Sequence, residues 1–251
     1  MSKHNFSTIG IVGQGAFGQL LAELFAPHVK VSVFDADNTI TSPGIKSASI
    51  DEVATAQVVI IATGLDGIET VCGQLASLVT PETIVMDVCS VKVRPTEILH
   101  RVLGGKCRLL ATHPLFGPQS VSENGGTRGH KIMWHPISGD DFSEIEQFFA
   151  DVLGVEILKM TPEAHDKEMA WVHGLTFFVG RALMNMSPPH SKLATHYYQK
   201  LLDLVDLEQK HSIALFNTIQ RGNPYAEEIR QQYLASAQLL ESTIQGANNE
   251  V

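Results

Sequence analysis

Short apolar runs alternate with amphipathic segments through the first part of this chain, and this alternation limits the folds that it can adopt. The runs have the length and composition of buried strands and lie at residues 9–12, 29–34, 57–62, 83–88 and 108–112. Amphipathic segments with helical spacing lie between them, at residues 16–26, 66–78 and 93–103. Strands that alternate with helices pair in parallel through right-handed crossovers. The sequence therefore predicts an α/β fold with a doubly wound parallel sheet.

The strand-like pattern continues to about residue 160 and then ends. Two further strand-like runs, at residues 131–137 and 155–160, flank a helical segment at 141–153 and are predicted to be later strands of the same sheet. Beyond them, long helical periodicities begin, separated by turns that contain proline, which cannot continue a helix. These periodicities cover residues 163–187, 192–218 and 225–245. We predict a sheet domain over residues 1–161 and an all-helical domain over residues 162–251.

The composition excludes several classes of protein. A formal net charge of −9 and an isoelectric point near 5.6 argue against a nucleic-acid-binding or anionic-membrane surface, which needs clustered lysine and arginine. No apolar run approaches the roughly 20 residues that span a bilayer, and the first residues lack the apolar core of a signal peptide. The cytoplasm is therefore the expected location. Cys72, Cys89 and Cys107 form no CxxC pair and are predicted to be reduced packing residues.

A glycine-rich loop follows the first predicted strand and opens the first predicted helix. It reads Gly13-Gln14-Gly15-Ala16-Phe17-Gly18, the GxGxxG fingerprint of Rossmann-type dinucleotide-binding domains. The first glycine permits a tight turn, the second lets backbone N–H groups approach a pyrophosphate, and the third lets the helix pack on the strand.

The identity of the dinucleotide follows from the next strand. Asp35 ends the second strand, where a carboxylate accepts hydrogen bonds from the adenine ribose and repels the 2′-phosphate of NADP. The sequence therefore predicts NAD as the cofactor and favours it over NADP, with Thr63 after the third strand as a further contact. A turn without a ligand and a different nucleotide such as FAD stay open as alternatives.

Two polar residues follow later strands of the predicted sheet. Ser90 comes after the fourth run and His113 after the fifth, at the edge where open α/β sheets bind ligands. Imidazole titrates near neutral pH and can take a proton from an alcohol, and a serine hydroxyl can orient that alcohol. The pair predicts hydride transfer from an alcohol; the alternative is that His113 is a structural histidine.

Three segments resemble the motifs of the prephenate and arogenate dehydrogenase family. They are Asp87-Val88-Cys89-Ser90-Val91-Lys92, His113-Pro114-Leu115-Phe116-Gly117-Pro118 and, for the family's His-Asp signature, Glu163-Ala164-His165-Asp166. They occur in the family's order along almost the full chain. The resemblance implies NAD-dependent oxidative decarboxylation of a cyclohexadienol in tyrosine biosynthesis, with His113 as the base and Ser90 as the orienting hydroxyl.

The resemblance also implies residues that bind the substrate. In this family an arginine of the helical domain holds a substrate carboxylate, and Arg221 is the candidate here, with Arg181 and Arg128 as secondary alternatives. Lys92 is predicted to be either a positive charge facing the substrate or a support for its loop. His165 is predicted either to contact the substrate or to bridge the domains. The helical domain is expected to form a homodimer.

The chain also departs from the family pattern. Many relatives carry a histidine deeper in the first helix of the helical domain, so either His173 has a shifted position or that contact is missing. No metal is expected, because the remaining histidines lack ligand spacing, and no fused mutase or regulatory domain is expected. The rival hypotheses are another two-domain Rossmann oxidoreductase, such as a β-hydroxyacid dehydrogenase or an imine reductase, and a silent NAD-binding sensor. The choice between prephenate and arogenate stays open.

Overall fold

A computed structural model describes residues 6–36 and 45–247 of the chain. The chain forms two compact units, the first ending at His165 and the second beginning at Asp166. The described strands all lie in the first unit, whereas the second is helical. Within the described ranges, no helix is both long and apolar enough to cross a membrane.

The first unit is built on one sheet. In chain order its strands are β1 (Thr8–Val12), β2 (Lys30–Phe34), β3 (Ile45–Ser47), β4 (Val58–Ile61), β5 (Ile84–Asp87), β6 (Arg108–Pro114), β7 (Lys131–Ser138) and β8 (Glu156–Lys159). They lie in the order β3-β2-β1-β4-β5-β6-β7-β8, with β1 to β6 parallel. The order reverses between β1 and β4, and the crevice outside the carboxyl ends at such a point binds ligands. The predicted doubly wound, Rossmann-type α/β sheet is confirmed.

Helices cover both faces of this sheet. They are α1 (Ala16–Phe25), α2 (Ile50–Ala54), α3 (Ile68–Leu75), α4 (Val93–Leu103), α5 (Pro118–Glu123) and α6 (Ser143–Gln147), with a 3₁₀ turn Leu65–Gly67 before α3 and a π-helical turn Phe148–Val152 after α6. Alternate residues of β4 join two different buried clusters: Val58 and Ile60 pack with α1, and Val59 and Ile61 pack with α3 and α4. A strand buried on both faces reads as a continuous apolar run, which is why the sequence reveals it.

The structure differs from the sequence prediction at one side of the sheet. The runs predicted at 131–137 and 155–160 are strands, but β7 is antiparallel to β6, and β8 is parallel to β7. β6 extends to Pro114, so that His113 lies within the strand and not after it. The edge strand β3 was not predicted, because its three residues are half-buried or exposed and carry no apolar pattern.

The second unit is helical, as predicted. Helix α7 (Pro162–Met169) runs across the unit boundary and continues through a π-helical turn, Ala170–Leu175, into α8 (Thr176–Met186); α9 (His196–Lys210), α10 (Ile213–Gly222) and α11 (Ala226–Ala247) follow. The single helix predicted over 192–218 is two helices, α9 and α10. The chain turns at Ser212, whose Oγ accepts a hydrogen bond from Leu215 N at 3.1 Å and caps α10.

Candidate active site

The glycine loop joins β1 to α1 at the carboxyl edge of the sheet. Gly13 has a φ of +106°, which side chains disfavour, and a Cβ added at Gly18 would lie 2.0 Å from Gly13 O, so both positions require glycine. At Gly15 nothing lies within 4 Å of an added Cβ, and this residue caps α1 without a side-chain hydrogen bond. The space beside Gly15, at the N-terminus of α1, is therefore open, and a helix N-terminus of this kind suits a pyrophosphate.

Asp35 and Thr63 flank this loop. Asp35 Oδ2 accepts a hydrogen bond from Gln14 N at 2.6 Å, which ties the carboxylate after β2 to the glycine loop. Thr63 follows β4, and its backbone N would lie 3.1 Å from a Cβ added at Gly13. The Thr63 Oγ1 is buried without a hydrogen-bond partner. A buried hydroxyl in this condition suits a contact with a bound polar group.

Ser90 and His113 lie at the ends of neighbouring strands. β5 and β6 pair in parallel, with Asp87 opposite Ala111, so both strands deliver their next residues to one edge. Ser90 is half-buried in the loop after β5, and His113 is 3% exposed near the end of β6. This edge also carries the glycine loop.

The His113 imidazole is hydrogen-bonded to a second histidine. His113 Nδ1 lies 2.8 Å from His165 Nε2, and the two ring planes are almost perpendicular, at 81°. Both rings are buried, His165 to 2% exposure. One nitrogen of the pair must donate and the other accept. The orientation of His113 is therefore set by His165, a contact that the sequence did not predict.

Lys92 is completely buried and pairs with Asp87. Its Nζ donates to Asp87 Oδ2 and to the carbonyl oxygen of Thr112. Burial raises the pKa of the Asp87 carboxyl, whereas the Lys92 ammonium and the Cys89 N–H oppose that shift. Lys92 thus joins the carboxyl ends of β5 and β6.

The glycine loop and the segment that begins at His113 are close to each other. Phe17, in the first turn of α1, and Phe116 have ring centroids 6.0 Å apart. Both side chains pack on the apolar cluster that contains α1. The first unit therefore brings a dinucleotide-type loop, Ser90 and a paired histidine to one region of its surface.

Comparison with known proteins finds similarity to prephenate and arogenate dehydrogenases. Residues 28–129 match the family model described as the nucleotide-binding domain of prephenate dehydrogenase. The chain is 29% identical over 212 residues to arogenate dehydrogenase 1, chloroplastic, and 28% identical over 234 residues to arogenate dehydrogenase 2, chloroplastic, both from Arabidopsis thaliana. The chain is therefore similar to prephenate and arogenate dehydrogenases over most of its length.

The extent of these similarities differs between the proteins. The two alignments cover 79% and 88% of this chain, but the chain spans only 33% and 65% of the Arabidopsis proteins. A solved structure, prephenate dehydrogenase from A. aeolicus in complex with hydroxyphenyl propionate and NAD+, has a TM-score of 0.72 at 17% identity and covers 98% of this chain and 93% of that chain. At this identity the likeness shows a shared fold.

The second unit carries the arginine that the family resemblance singled out. Arg221 is exposed in the last turn of α10. The turn that follows is fixed within the unit, because Asn223 Nδ2 donates to Asp166 O at 2.7 Å. Arg181 instead pairs with the fully buried Glu208, its Nε lying 3.4 Å from Oε2. Of these two arginines, Arg221 is the more accessible to a ligand.

His173 and Arg128, which the sequence offered as further candidates for substrate contacts, lie in different units. His173 lies half-buried in the π-helical turn, 5.4 Å from the Phe177 ring. Arg128 is exposed in the first unit and packs against Gly154.

Sequence analysis assigned no role to Asp87 or Thr112, although both lie in segments that it singled out. A signal for Asp87 was present, because a carboxylate that ends an otherwise apolar strand must find a partner when it is buried. Lys92, five residues later, is that partner. No comparable signal identifies Thr112, since it contributes a backbone carbonyl, which every residue has.

Proposed function

We propose that this protein is an NAD-dependent dehydrogenase that oxidises and decarboxylates prephenate or arogenate, giving 4-hydroxyphenylpyruvate or tyrosine. The observation that carries the proposal is the hydrogen-bonded pair of His113 and His165 at the sheet edge that holds the glycine loop. The family model and the arogenate dehydrogenases of Arabidopsis support this activity. The two substrates share the same cyclohexadienol ring, so one arrangement of residues serves both.

His113 is the proposed base for the ring hydroxyl. When its Nδ1–H donates to His165 Nε2, the basic lone pair lies on His113 Nε2. The hydroxyl proton of the substrate moves to His113 Nε2, and the His113 side chain becomes an imidazolium. His165 accepts a hydrogen bond from that cation and stabilises it, and the bond is stronger for being buried and charge-assisted. Ser90 orients the hydroxyl toward the base.

The electrons and atoms of the reaction balance without a further co-reactant. When bound at the glycine loop, NAD would supply the oxidising chemistry, as the acceptor of a hydride from the ring carbon that carries the hydroxyl. As His113 takes the proton, the O–H electron pair forms a ring carbonyl. The bond to the ring carboxylate then breaks, carbon dioxide leaves, and the released electron pair makes the ring aromatic. The phenolic oxygen regains a proton from His113, which returns to its neutral form.

The loop Gly13–Gly18, Asp35 and Thr63 are the proposed cofactor contacts. The open space at Gly15 and the buried, unpartnered Thr63 Oγ1 both fit a bound dinucleotide. We propose NAD rather than NADP because the half-buried Asp35 carboxylate repels a 2′-phosphate. Equal or better catalytic efficiency with NADP would contradict this preference.

Arg221 is the proposed partner of a substrate carboxylate. Both substrates carry two carboxylates, and a carboxylate needs a paired cation in a protein of net charge −9. A guanidinium binds a carboxylate through two parallel hydrogen bonds. Arg221→Ala should raise KM by roughly 10-fold or more while NAD binding stays unchanged, and Arg221→Lys should recover only part of the loss. An unchanged KM in the alanine variant would transfer the role to another cation.

We further propose that the protein is a homodimer and acts in the cytoplasm. An apolar surface on the second unit supports the homodimer.

Three buried free thiols support a reducing compartment such as the cytoplasm. Fractionation of cells of the source organism tests the location, and recovery in another compartment would contradict it.

The activity is tested with both substrates and both cofactors. Purified protein is incubated with prephenate or arogenate and NAD or NADP, and reduced cofactor and aromatic product are measured in the same sample. We expect equal amounts of reduced cofactor and 4-hydroxyphenylpyruvate or tyrosine. Saturable binding of NAD without turnover of either substrate would refute the enzyme and favour a sensor.

A further inference from the structure

A fully buried ion pair flanks Ser90 in the sequence and contacts the residue before His113. The side chains of Lys92 and Asp87 are both 0% exposed. Lysine is almost never buried completely unless its charge is matched. Replacing such a pair with apolar residues is often neutral or stabilising, so stability alone is a weak reason for its presence.

The pair links β5 to β6 at their carboxyl ends. Asp87 ends β5 and also accepts a hydrogen bond from Cys89 N at 3.0 Å, which fixes the start of the Ser90 loop. Lys92 Nζ donates to the same carboxylate oxygen of Asp87 and also to the carbonyl oxygen of Thr112 in β6. A second link runs the other way, because Thr112 Oγ1 donates to Asp87 O at 2.6 Å.

Thr112 immediately precedes His113, so its carbonyl is part of the peptide group that carries the His113 backbone. The side chain of His113 is fixed by His165 at Nδ1, and its backbone is fixed on the other side by the link to Lys92. Proton transfer depends on this geometry, because a displacement of about 1 Å can lower a rate about 10²-fold.

We infer that Lys92 is a positioning residue for His113, and that it acts through the Thr112 carbonyl and not by binding substrate. The inference rests on the proposed function. The ammonium is buried to 0% exposure and its charge is matched by Asp87, so a substrate carboxylate would have to displace Asp87 to reach it. Asp87 holds the ammonium in place and, through Cys89 N, joins the Ser90 loop to the same unit of structure.

The test compares Lys92→Met with the charge-neutral double variant Asp87→Asn/Lys92→Met. The double variant leaves no uncompensated buried charge and carries the test if the single variant does not fold. We expect kcat to fall by roughly 10- to 100-fold in either, with KM and NAD affinity changed less than about 3-fold. Thr127→Val is the matched control, because it also removes a buried side-chain bond to a carbonyl, Thr127 Oγ1 to Leu153 O at 2.6 Å, and should leave kcat unchanged.

A double-mutant cycle with His113→Asn separates positioning from a general structural effect. If Lys92 acts through His113, its removal should lower kcat little further in the His113→Asn background, because the effects of coupled residues are not additive. A full additional loss in that background would overturn the inference. A raised KM with an unchanged kcat would also overturn it, in favour of a substrate contact.

A spectroscopic measurement keeps this test independent of the proposed activity. The ¹⁵N resonances of the His113 imidazole, assigned by their absence in His113→Asn, should shift in both Lys92 variants and remain unchanged in Thr127→Val. Unchanged His113 resonances in the Lys92 variants would refute the positioning role. A wild-type protein without turnover would refute the proposed function alone, since the resonance shift would still be measured.

Discussion

At the scale of single residues, the proposed chemistry depends on one hydrogen bond between two imidazoles. His113 is part of a strand, and His165 is on α7, so the two meet only through the fold. The sequence indicated both residues, each by its resemblance to a family motif. It did not indicate that they pair, because residues 52 positions apart carry no local signal of contact.

His113→Asn should lower kcat by roughly 10²–10⁴ while NAD affinity is unchanged, because the variant lacks a base but keeps the glycine loop. The wild-type kcat/KM should also fall as the pH is lowered and His113 becomes protonated, and this acid limb should be lost in the variant. Steady-state kinetics across a pH series measures both effects. His100→Asn, an exposed histidine on α4, is the control; near-normal kcat in His113→Asn would contradict the assignment.

Two buried cysteines should be unreactive in the folded protein. Burial raises the pKa of Cys72 to about 12 and that of Cys107 to about 11, so at pH 8 on the order of one thousandth or less of either thiol is ionised. Titration with a thiol reagent should leave both unmodified until the protein is unfolded. Rapid modification of either cysteine in the native state would contradict this.

The same two thiols should make the free energy of unfolding depend on pH in the alkaline range. In the unfolded chain they ionise near their ordinary pKa of 9.0, whereas in the folded protein they keep their protons. Above about pH 9 the unfolded state therefore binds fewer protons, and the free energy of unfolding should fall as the pH rises toward about 11.

At the scale of secondary structure elements, α8 and α9 of the second unit pack closely at Gly180. A Cβ added at Gly180 would lie 2.5 Å from Cγ of the buried Glu208 and 3.2 Å from Cγ of Leu204. Glu208 is not free to move away, since it is held by Arg181 and His211. Only glycine at this position lets the two helices approach as they do.

Gly180→Ala should therefore lower the melting temperature. Overpacking destabilises by about 1–3 kcal/mol, which exceeds the gain in helix propensity of about 1 kcal/mol at most sites. Gly73→Ala is the matched control: it is exposed within α3, has nothing within 4 Å of the added Cβ and should be slightly stabilising. Equal melting temperatures for the two variants would show that α8 and α9 separate easily.

Most elements could be predicted from periodicity, and the exceptions have identifiable causes. The buried parallel strands read as apolar runs, and α1, α3 and α4 follow them with amphipathic spacing. The direction of β7 could not be predicted, because an apolar run has the same composition in a parallel and an antiparallel strand. The break between α9 and α10 was not predicted, because the helical spacing of apolar residues continues across Ser212. In the structure the Ser212 side chain caps the N-terminus of α10, so that a new helix begins there.

At the scale of the whole molecule, apolar surface is unevenly distributed. Among the described residues, the exposed large apolar side chains all belong to the second unit: Trp171, Val172, Met186, Leu193, Tyr197, Leu201, Ile213, Tyr233, Leu234, Leu239, Leu240 and Ile244. Tyr233, Leu240 and Ile244 lie on one stripe of α11, at helical spacing. A stripe of this kind on an exposed helix usually marks an interface.

The protein should therefore be a two-fold homodimer that buries the stripe on α11. Light scattering at micromolar concentration should give twice the chain mass, and Leu240→Asp should shift the protein toward the monomer because it places a charge in the interface. Gln238→Asp, on the opposite side of α11, is the control and should remain dimeric. A monomeric wild-type protein would contradict the proposed assembly.

The π-helical turn at Ala170–Leu175 also bears on how this chain compares with its relatives. A π turn holds one residue more than an α turn, so the side chains after it are rotated by about 100° relative to an uninterrupted helix. Such a turn can gain or lose a single residue by changing into an α turn, and the helices on either side stay intact. During divergence of the family, a histidine in this segment can therefore change its position in the sequence while it keeps its direction in space. Counting positions from the His-Asp signature is for this reason a poor way to match His173 with the histidines of similar proteins.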